Sequence, residues 1–197
     1  MAGLRRAAAA LGLLALLLSA SPAAAAGAAD FVADFVRRGA DLAAARDSLD
    51  EAALAPWRRL VTESLDLPGI AAFVVGAAWR SAGDGERAEL AELIGRQIAA
   101  LYVRRVLADR GAALSITGSQ PVGAGEELVT SRLTRRDGTA QSIDWLVRQR
   151  GAGFGIFDIV TDGRSLAAGK RSEYAILLQR SRGDIASLIE ALRLDRQ

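Results

Sequence analysis

Apolar positions recur with helical spacing along the first half of this chain and with alternating spacing along the second, so helices are expected to precede a sheet. From Asp30, read as an N-cap, Phe31, Phe35, Leu42 and Leu49 recur at near-helical intervals, with Val32 and Val36 widening the stripe. A second helix is expected from Ser48 or Asp50, with Leu54, Trp57, Leu60 and Val61 on one side and Pro56 in its first turns. Asp66-Leu67-Pro68-Gly69 then restarts the chain into a further helical run from Ile70 to Trp79. After a loop over 81–85, Asp84 or a neighbour caps the longest helix. It carries Leu90, Leu93, Ile94, Ile98, Leu101, Tyr102 and Val106 at the 3.6-residue period, reaches about Asp109 and stops at Gly111.

Four strands are expected after Gly111: Leu114 to Thr117, Leu128 to Thr134, Ile143 to Arg148 and Phe154 to Val160. They are punctuated by Gly118 to Gly125, Arg136-Asp137-Gly138 and Arg150 to Gly153. Connectors this short imply an antiparallel meander. Ile143, Trp145 and Val147 share one face of the third strand, and Val129, Ser131 and Leu133 share one face of the second. Helices packed on the more apolar face give an α+β domain, closed by two more helices near Arg164 to Arg180 and Asp184 to Arg193. No internal repeat or interdomain linker interrupts residues 27–197, which read as a single domain.

The N-terminus sets the compartment. Arg5 and Arg6 precede an apolar run from Leu11 to Leu18 and the small residues Ser21 to Ala26, the pattern of a secretory signal peptide over residues 1–26 with cleavage near Ala26 or Ala28. The apolar core falls short of the roughly 20 residues a membrane span needs, although the alanine tail leaves an uncleaved anchor as the alternative. Removing Arg5 and Arg6 leaves 23 basic residues against 23 acidic ones, so the domain is formally neutral and lacks the basic footprint of nucleic-acid binding. The chain has neither cysteine nor histidine. This excludes disulfides, thiolate nucleophiles, Cys/His metal sites and imidazole acid-base catalysis together.

The remaining candidate chemistry is sparse. Asp158 sits among Phe157, Ile159 and Val160, where it could hold the turn at Gly163 or pair with Arg171; Ser165 is placed to cap the helix that follows. Arg164, Lys170 and Arg171 could meet a phosphate or form a solvated cluster. Tyr102 could present its hydroxyl to a head group or bury its ring as an ordinary amphipathic residue. Tyr102 with Asp158 is also the one pairing that could serve an enzyme, as a phenol donor beside a carboxylate base in an apolar cone. Gly151-Ala-Gly-Phe-Gly155 lies between strands and reads as a hairpin turn, not a phosphate loop.

Several segments, in order, resemble the MlaC family of periplasmic phospholipid-binding proteins, known also as toluene-tolerance proteins and ABC-transporter auxiliary components. They are Phe31 to Arg38, Glu63-Ser-Leu-Asp-Leu67 with Ile70, Val75-Gly76-Ala-Ala-Trp79-Arg80, Tyr102, and the ending Gly155-Ile-Phe157-Asp158 with Asp162-Gly163-Arg164-Ser165. Leu65-Asp66 stands where the family has Phe-Asp, and Asp162-Gly163-Arg164-Ser165 where it has Glu-Gly-Val-Ser. Some relatives are associated with hopanoid biosynthesis. The resemblance implies helices on a curved four-stranded sheet enclosing an apolar cavity for acyl chains, with bound lipid as ligand and no catalytic group, cofactor or metal. Implied partners are an inner-membrane ABC transporter complex with an MCE-type subunit and an outer-membrane lipoprotein complex. The wall would then come from Phe73, Val74, Ile98, Leu101, Tyr102, Val129, Leu133, Ile143, Trp145 and Val147. The same periodicity is satisfied by a filled core, since it reports burial and not emptiness.

Expressed with its leader and recovered from a bacterial periplasm, the protein should begin within residues 27–29 by N-terminal sequencing. Recovery of the intact leader in the membrane fraction would instead support the uncleaved anchor.

Overall fold

The computed structural model describes residues 27–45 and 50–194; the signal segment and the expected positions Ser48 and Leu49 lie outside them. Four helices come first: α1 (Ala28–Ala45), α2 (Glu51–Ser64), α3 (Leu67–Val75) and α4 (Asp84–Ala108). A five-stranded antiparallel meander follows in spatial order β1 to β5: β1 (Ala113–Gly123), β2 (Glu126–Thr134), β3 (Ala140–Arg150), β4 (Gly153–Thr161) and β5 (Arg164–Ser165). Helices α5 (Leu166–Arg180) and α6 (Ile185–Leu194) complete the α+β domain. Among the described residues no helix is long and apolar enough to cross a membrane.

The helix starts follow capping chemistry. Asp50 caps α2 by accepting from the Ala53 N–H at 2.8 Å, and Asp66 caps α3 by accepting from Gly69, with Pro68 in the first turn. Asp30 is not the N-cap expected for α1. The helix already includes Ala28 and Ala29, good helix formers, and the Asp30 carboxylate reaches back to the Gly27 N–H at 3.3 Å. At α4 the cap is the neighbour Gly83, as the sequence allowed: Asp84 lies in the first turn, and Glu86 accepts from the Gly83 N–H at 2.8 Å. The run expected from Ile70 to Trp79 is broken at Gly76, whose φ of +67° ends α3 and lets residues 76–80 continue as a tighter 3₁₀ turn.

Two expectations about the sheet are corrected. There are five strands, because Asp162 (φ +48°) and Gly163 (φ +77°) make a two-residue turn that folds Arg164-Ser165 back onto β4. The first strand continues through Gly118 and Pro121, read in the sequence as a break. Pro121 is tolerated because β1 is an edge, and register shifts near Thr117 and Val122 absorb the irregularity. The face alternation is as expected: Val129, Ser131 and Leu133 on β2 and Trp145 and Val147 on β3 are buried. The one buried polar side chain of that face is satisfied on both sides. Ser131 donates to the Ile143 carbonyl at 2.5 Å and accepts from the Trp145 indole at 3.0 Å.

Against this face α1 lays Val32 and Phe35, the latter 1% exposed and edge-on to Trp145 with ring centroids 5.9 Å apart. The core continues through Leu60 and Val61 of α2 and Leu90 and Ile94 of α4 to Leu188 and Ile189 of α6. Helix α6 is fixed at its ends by Asp184, which accepts from the Ser187 N–H at 3.0 Å, and by Arg193, which donates to Glu89 at 2.6 Å.

Three exposed carboxyls, Asp137, Asp162 and Asp184, are held below the usual carboxylate range chiefly by side-chain donors, from Thr139, Gln141 and Ser187 respectively. A lowered folded-state value stabilises the fold above the unfolded value, about 3.9 for Asp, and that contribution is lost as pH falls through the folded value. No histidine exists to titrate near neutrality. The thermal midpoint should therefore be flat between about pH 5 and 8 and fall below about pH 4. Calorimetry across that range checks it, and a midpoint that moves between pH 5 and 8 would contradict it.

Candidate functional site

An apolar seam lies where α3, α4 and α5 meet β4. The apolar run from Ile156 to Val160 is interrupted only by Asp158, and a register shift in the β3–β4 ladder leaves Phe157 without a pairing partner while Ile156 pairs with Val147 and Asp158 with Leu146. This bulge lets Ile156 and Phe157, neighbours in sequence, both face the helices. They meet Leu65, Ile70 and Val74 at the α2–α3 end and Ile94 and Ile98 on α4, around a cavity of about 20 Å³. Leu166 and Ala167 close the side toward α5, and Asp158 and Lys170 are its polar members.

A cavity of that size holds about one water. Sites that take small organic ligands run to about 300–1,000 Å³. A long-chain ligand can enter this seam only if the layers part.

The junction between α2 and α3 is tied to β4 through its backbone. The Asp66 N–H donates to the Ile156 carbonyl at 2.9 Å, giving a parallel bridge between Leu65 and Ile156, and Arg150 donates to the Leu65 carbonyl at 2.8 Å. Arg148 and Arg150 each approach the Asp66 carboxylate to 3.9 Å. Gly155 permits the approach: a β-carbon there would lie 2.5 Å from the Arg150 Cδ and 3.2 Å from the Asp66 nitrogen.

Of the wall residues expected from the sequence, Val74 and Ile98 line the cavity. Val129, Trp145 and Val147 are buried in the filled core under β2 and β3, Ile143 packs half-buried at its margin, and Leu133 is 8% exposed. Phe73 sits edge-on to Phe157 at 5.6 Å, beside the seam. Leu101 is misplaced by the sequence reading. It is 40% exposed on the outer side of α4, because its neighbour Tyr102 and Ile98 one turn earlier take the inward positions. The wall residues missed are Leu65, Ile70, Ile94, Ile156, Phe157 and Ile159. For the three on β4 the signal was its apolar run, broken only by Asp158, whose alternation is spoiled by the bulge.

Tyr102 belongs to an aromatic cluster at the other end of the core. Its ring stacks on Phe35 at 4.7 Å and meets Trp57 edge-on at 5.8 Å, and burial pushes its phenol well above the ordinary value. Gly39 of α1 faces the hydroxyl so closely that a β-carbon would lie 2.6 Å from it. Asp158 is engaged differently. One carboxylate oxygen accepts from the Ile159 and Ala167 N–H groups at 2.8 and 2.9 Å, and the other from the Ser165 hydroxyl at 2.5 Å. Ser165 in turn caps α5 through the Ala168 N–H at 2.9 Å. Asp158, Gly163 and Ser165 thus form a turn that launches α5, and the contacts of Asp158 include none of those around Tyr102.

The expected basic cluster does not converge. Arg171 donates to the Phe73 carbonyl at 2.7 Å and lies over the Phe73 ring at 4.9 Å, holding α5 to α3 and leaving Asp158 to its other donors. Lys170 pairs with Glu173 at 2.6 Å, and Arg164 lies on β5 near Asp162. Among the described residues no group of three Asp, Glu, His or Cys could hold a metal ion.

The family described as MlaC protein matches residues 36–194. A solved structure from Ralstonia solanacearum, described as a phospholipid-binding protein in complex with a phospholipid, superposes with a TM-score of 0.66 at 17% identity, covering 85% of this chain and 96% of that one. At that identity the likeness establishes a shared fold. No curated protein matches the chain.

Replacing Asp158 by Asn should lower unfolding free energy by about 1–3 kcal/mol, because an amide puts a donor where one of three donors now points. Urea titration measures this. Uptake of fluorescent phospholipid from vesicles should be unchanged, and abolished uptake by a stably folded variant would give Asp158 a functional role.

Proposed function

The chain belongs to the MlaC family, and from that premise we propose that it is a non-enzymatic periplasmic carrier of phospholipid that holds acyl chains in the seam between α3, α4 and β4. The observation that carries this reading is the seam itself: a cavity walled by aliphatic side chains at the one place where helices from both ends of the chain meet a bulged strand. The fold shared with a protein solved in complex with a phospholipid supports the cargo. The signal segment at residues 1–26 supports the compartment.

The energetics suit a carrier. Keeping a chain of about 15 methylenes from water is worth roughly 12 kcal/mol at about 0.8 per CH₂. Parting the layers breaks close contacts among Leu65, Ile70, Ile94 and Ile156, yet an acyl chain replaces them with contacts of the same kind, so little apolar surface meets water. The carrier needs no acid, base or nucleophile. The Asp158 carboxylate accepts from three donors and shares no contact with the cluster around Tyr102, which favours the carrier over the Tyr102 and Asp158 enzyme alternative. Delivery between an outer-membrane lipoprotein complex and an inner-membrane ABC transporter complex with an MCE-type subunit completes the proposal.

Native mass spectrometry of the signal-free protein purified from its own periplasm, followed by extraction, should yield one diacyl phospholipid per chain. A hopanoid in its place would keep the seam and change the cargo. A protein that is always empty and takes nothing from vesicles would overturn the carrier reading.

A further inference from the structure

Leu65 is the wall between two spaces. On its inner side is the 20 Å³ cavity of the seam, and on its outer side an open groove of about 410 Å³ between α2, α3 and α4, which it also lines. The floor of that groove is apolar, from Leu65, Leu67, Pro68 and Ala91, and its rim carries Arg58, Arg96 and Arg150 against Glu92, with Asp66 3.9 Å from Arg150, so cations still outnumber acids. An apolar floor leading to a closed apolar interior, under a rim with net positive charge, matches an amphiphile with an anionic head.

Two further grooves among the described residues lack one part or the other. The groove along Arg38, Asp41 and Arg59 shares no residue with the inner cavity. The groove beside α5 shares Val74 with it, but its one cation, Arg171, is committed to the Phe73 carbonyl and ring.

Resting on the carrier reading above, we infer that the groove between α2, α3 and α4 is the portal through which acyl chains enter, with Leu65 as the gate and Arg58, Arg96 and Arg150 as the seat of the lipid phosphate. Arg150 links the two. Its guanidinium donates to the Leu65 carbonyl at 2.8 Å and is the latch that keeps the α2–α3 junction on β4. A phosphate arriving at the rim competes with that carbonyl for the same donors, and a guanidinium drawn toward the anion loosens its hold on the gate. Arg96 reaches the groove from α4, where its present partner is Glu92 one turn earlier. Its side chain is 55% exposed, so the pair is screened and easily exchanged for a phosphate. Gly95, also in the groove, leaves room for Leu67: a β-carbon there would lie 2.8 Å from the Leu67 Cδ1.

The test uses the signal-free chain and two probes with the same acyl chains, fluorescent phosphatidylglycerol and fluorescent diacylglycerol, each offered from neutral vesicles. The double variant Arg58→Gln/Arg96→Gln changes side chains that are half-buried and exposed, so the core is untouched. The expected result is about a tenfold or greater loss of affinity for phosphatidylglycerol, with diacylglycerol changed less than about twofold. Equal weakening for both probes, or no change for either, would overturn the portal. Wild-type protein that takes up neither probe would overturn the carrier reading on which the portal rests. Inorganic phosphate alone separates a head-group seat from a free-anion site: millimolar phosphate should not displace bound phosphatidylglycerol, whose chains anchor it, and full displacement would overturn the assignment.

Discussion

One backbone hydrogen bond organises this molecule: the Asp66 N–H onto the Ile156 carbonyl, at 2.9 Å. It fixes the junction of α2 and α3 against the middle of β4, and three other features exist to allow it. Gly155 has no side chain to obstruct the approach, Asp66 uses its carboxylate to start α3, and Arg150 holds the Leu65 carbonyl from the far side. Without this tie Leu65 would have no fixed place, and the seam and the outer groove would be one continuous cleft. Family resemblance fell on this stretch, Glu63 to Leu67, as a phrase of sequence. Its physical content is a closure.

The core has two ends of different mechanical character. Phe35, Trp57, Tyr102 and Trp145 interlock with centroid separations of 4.7 to 5.9 Å, around Gly39 and the satisfied Ser131 hydroxyl. Rings so placed have few alternative arrangements, and displacing one leaves a void that its neighbours cannot fill. The end under β4 is walled mainly by Leu and Ile, which have more rotameric freedom, with Phe157 the one ring in the wall, edge-on to Phe73, and a second pair, Phe31 of α1 with Phe154 of the same strand, at 6.0 Å. If the layers part to admit a chain, as proposed above, the aliphatic end is where they can do so at least cost, with the aromatic end as the fixed jaw.

Much of this was legible from spacing alone. The order of elements, the buried faces of β2 and β3, the start of α2 near Asp50, the restart at Asp66 and the Asp158, Gly163 and Ser165 turn each follow from local rules that act within a few residues. What was not legible depends on a departure from regularity. The bulge at Phe157 breaks the period-2 pattern that would have marked β4 as the wall, so the strand half of the expected wall fell on β2 and β3, where regular alternation belongs to a filled core. Leu101 fits the helical stripe as well as Tyr102 does, and only the direction of approach of α1 decides which of the two turns inward. The Arg150 latch joins residues 85 positions apart, and no local pattern announces it.

A tightly packed interior is an advantage for a carrier, not an obstacle to it. A ready-made dry cavity would realise the full value of acyl burial, about 12 kcal/mol for one chain of about 15 methylenes, and its lipid would leave too slowly to be delivered. When the cavity must be opened, the contacts of Leu65, Ile70, Ile94 and Ile156 are lost as lipid enters and regained as it leaves, so the closed core competes with the cargo. The net affinity is then a difference between two large apolar terms of opposite sign, and small changes at the latch shift it strongly. On the carrier reading proposed above, a receiving complex would not have to extract the lipid against its whole hydrophobic energy. It would have only to favour the arrangement in which the Asp66 N–H is back on Ile156 and the seam has closed.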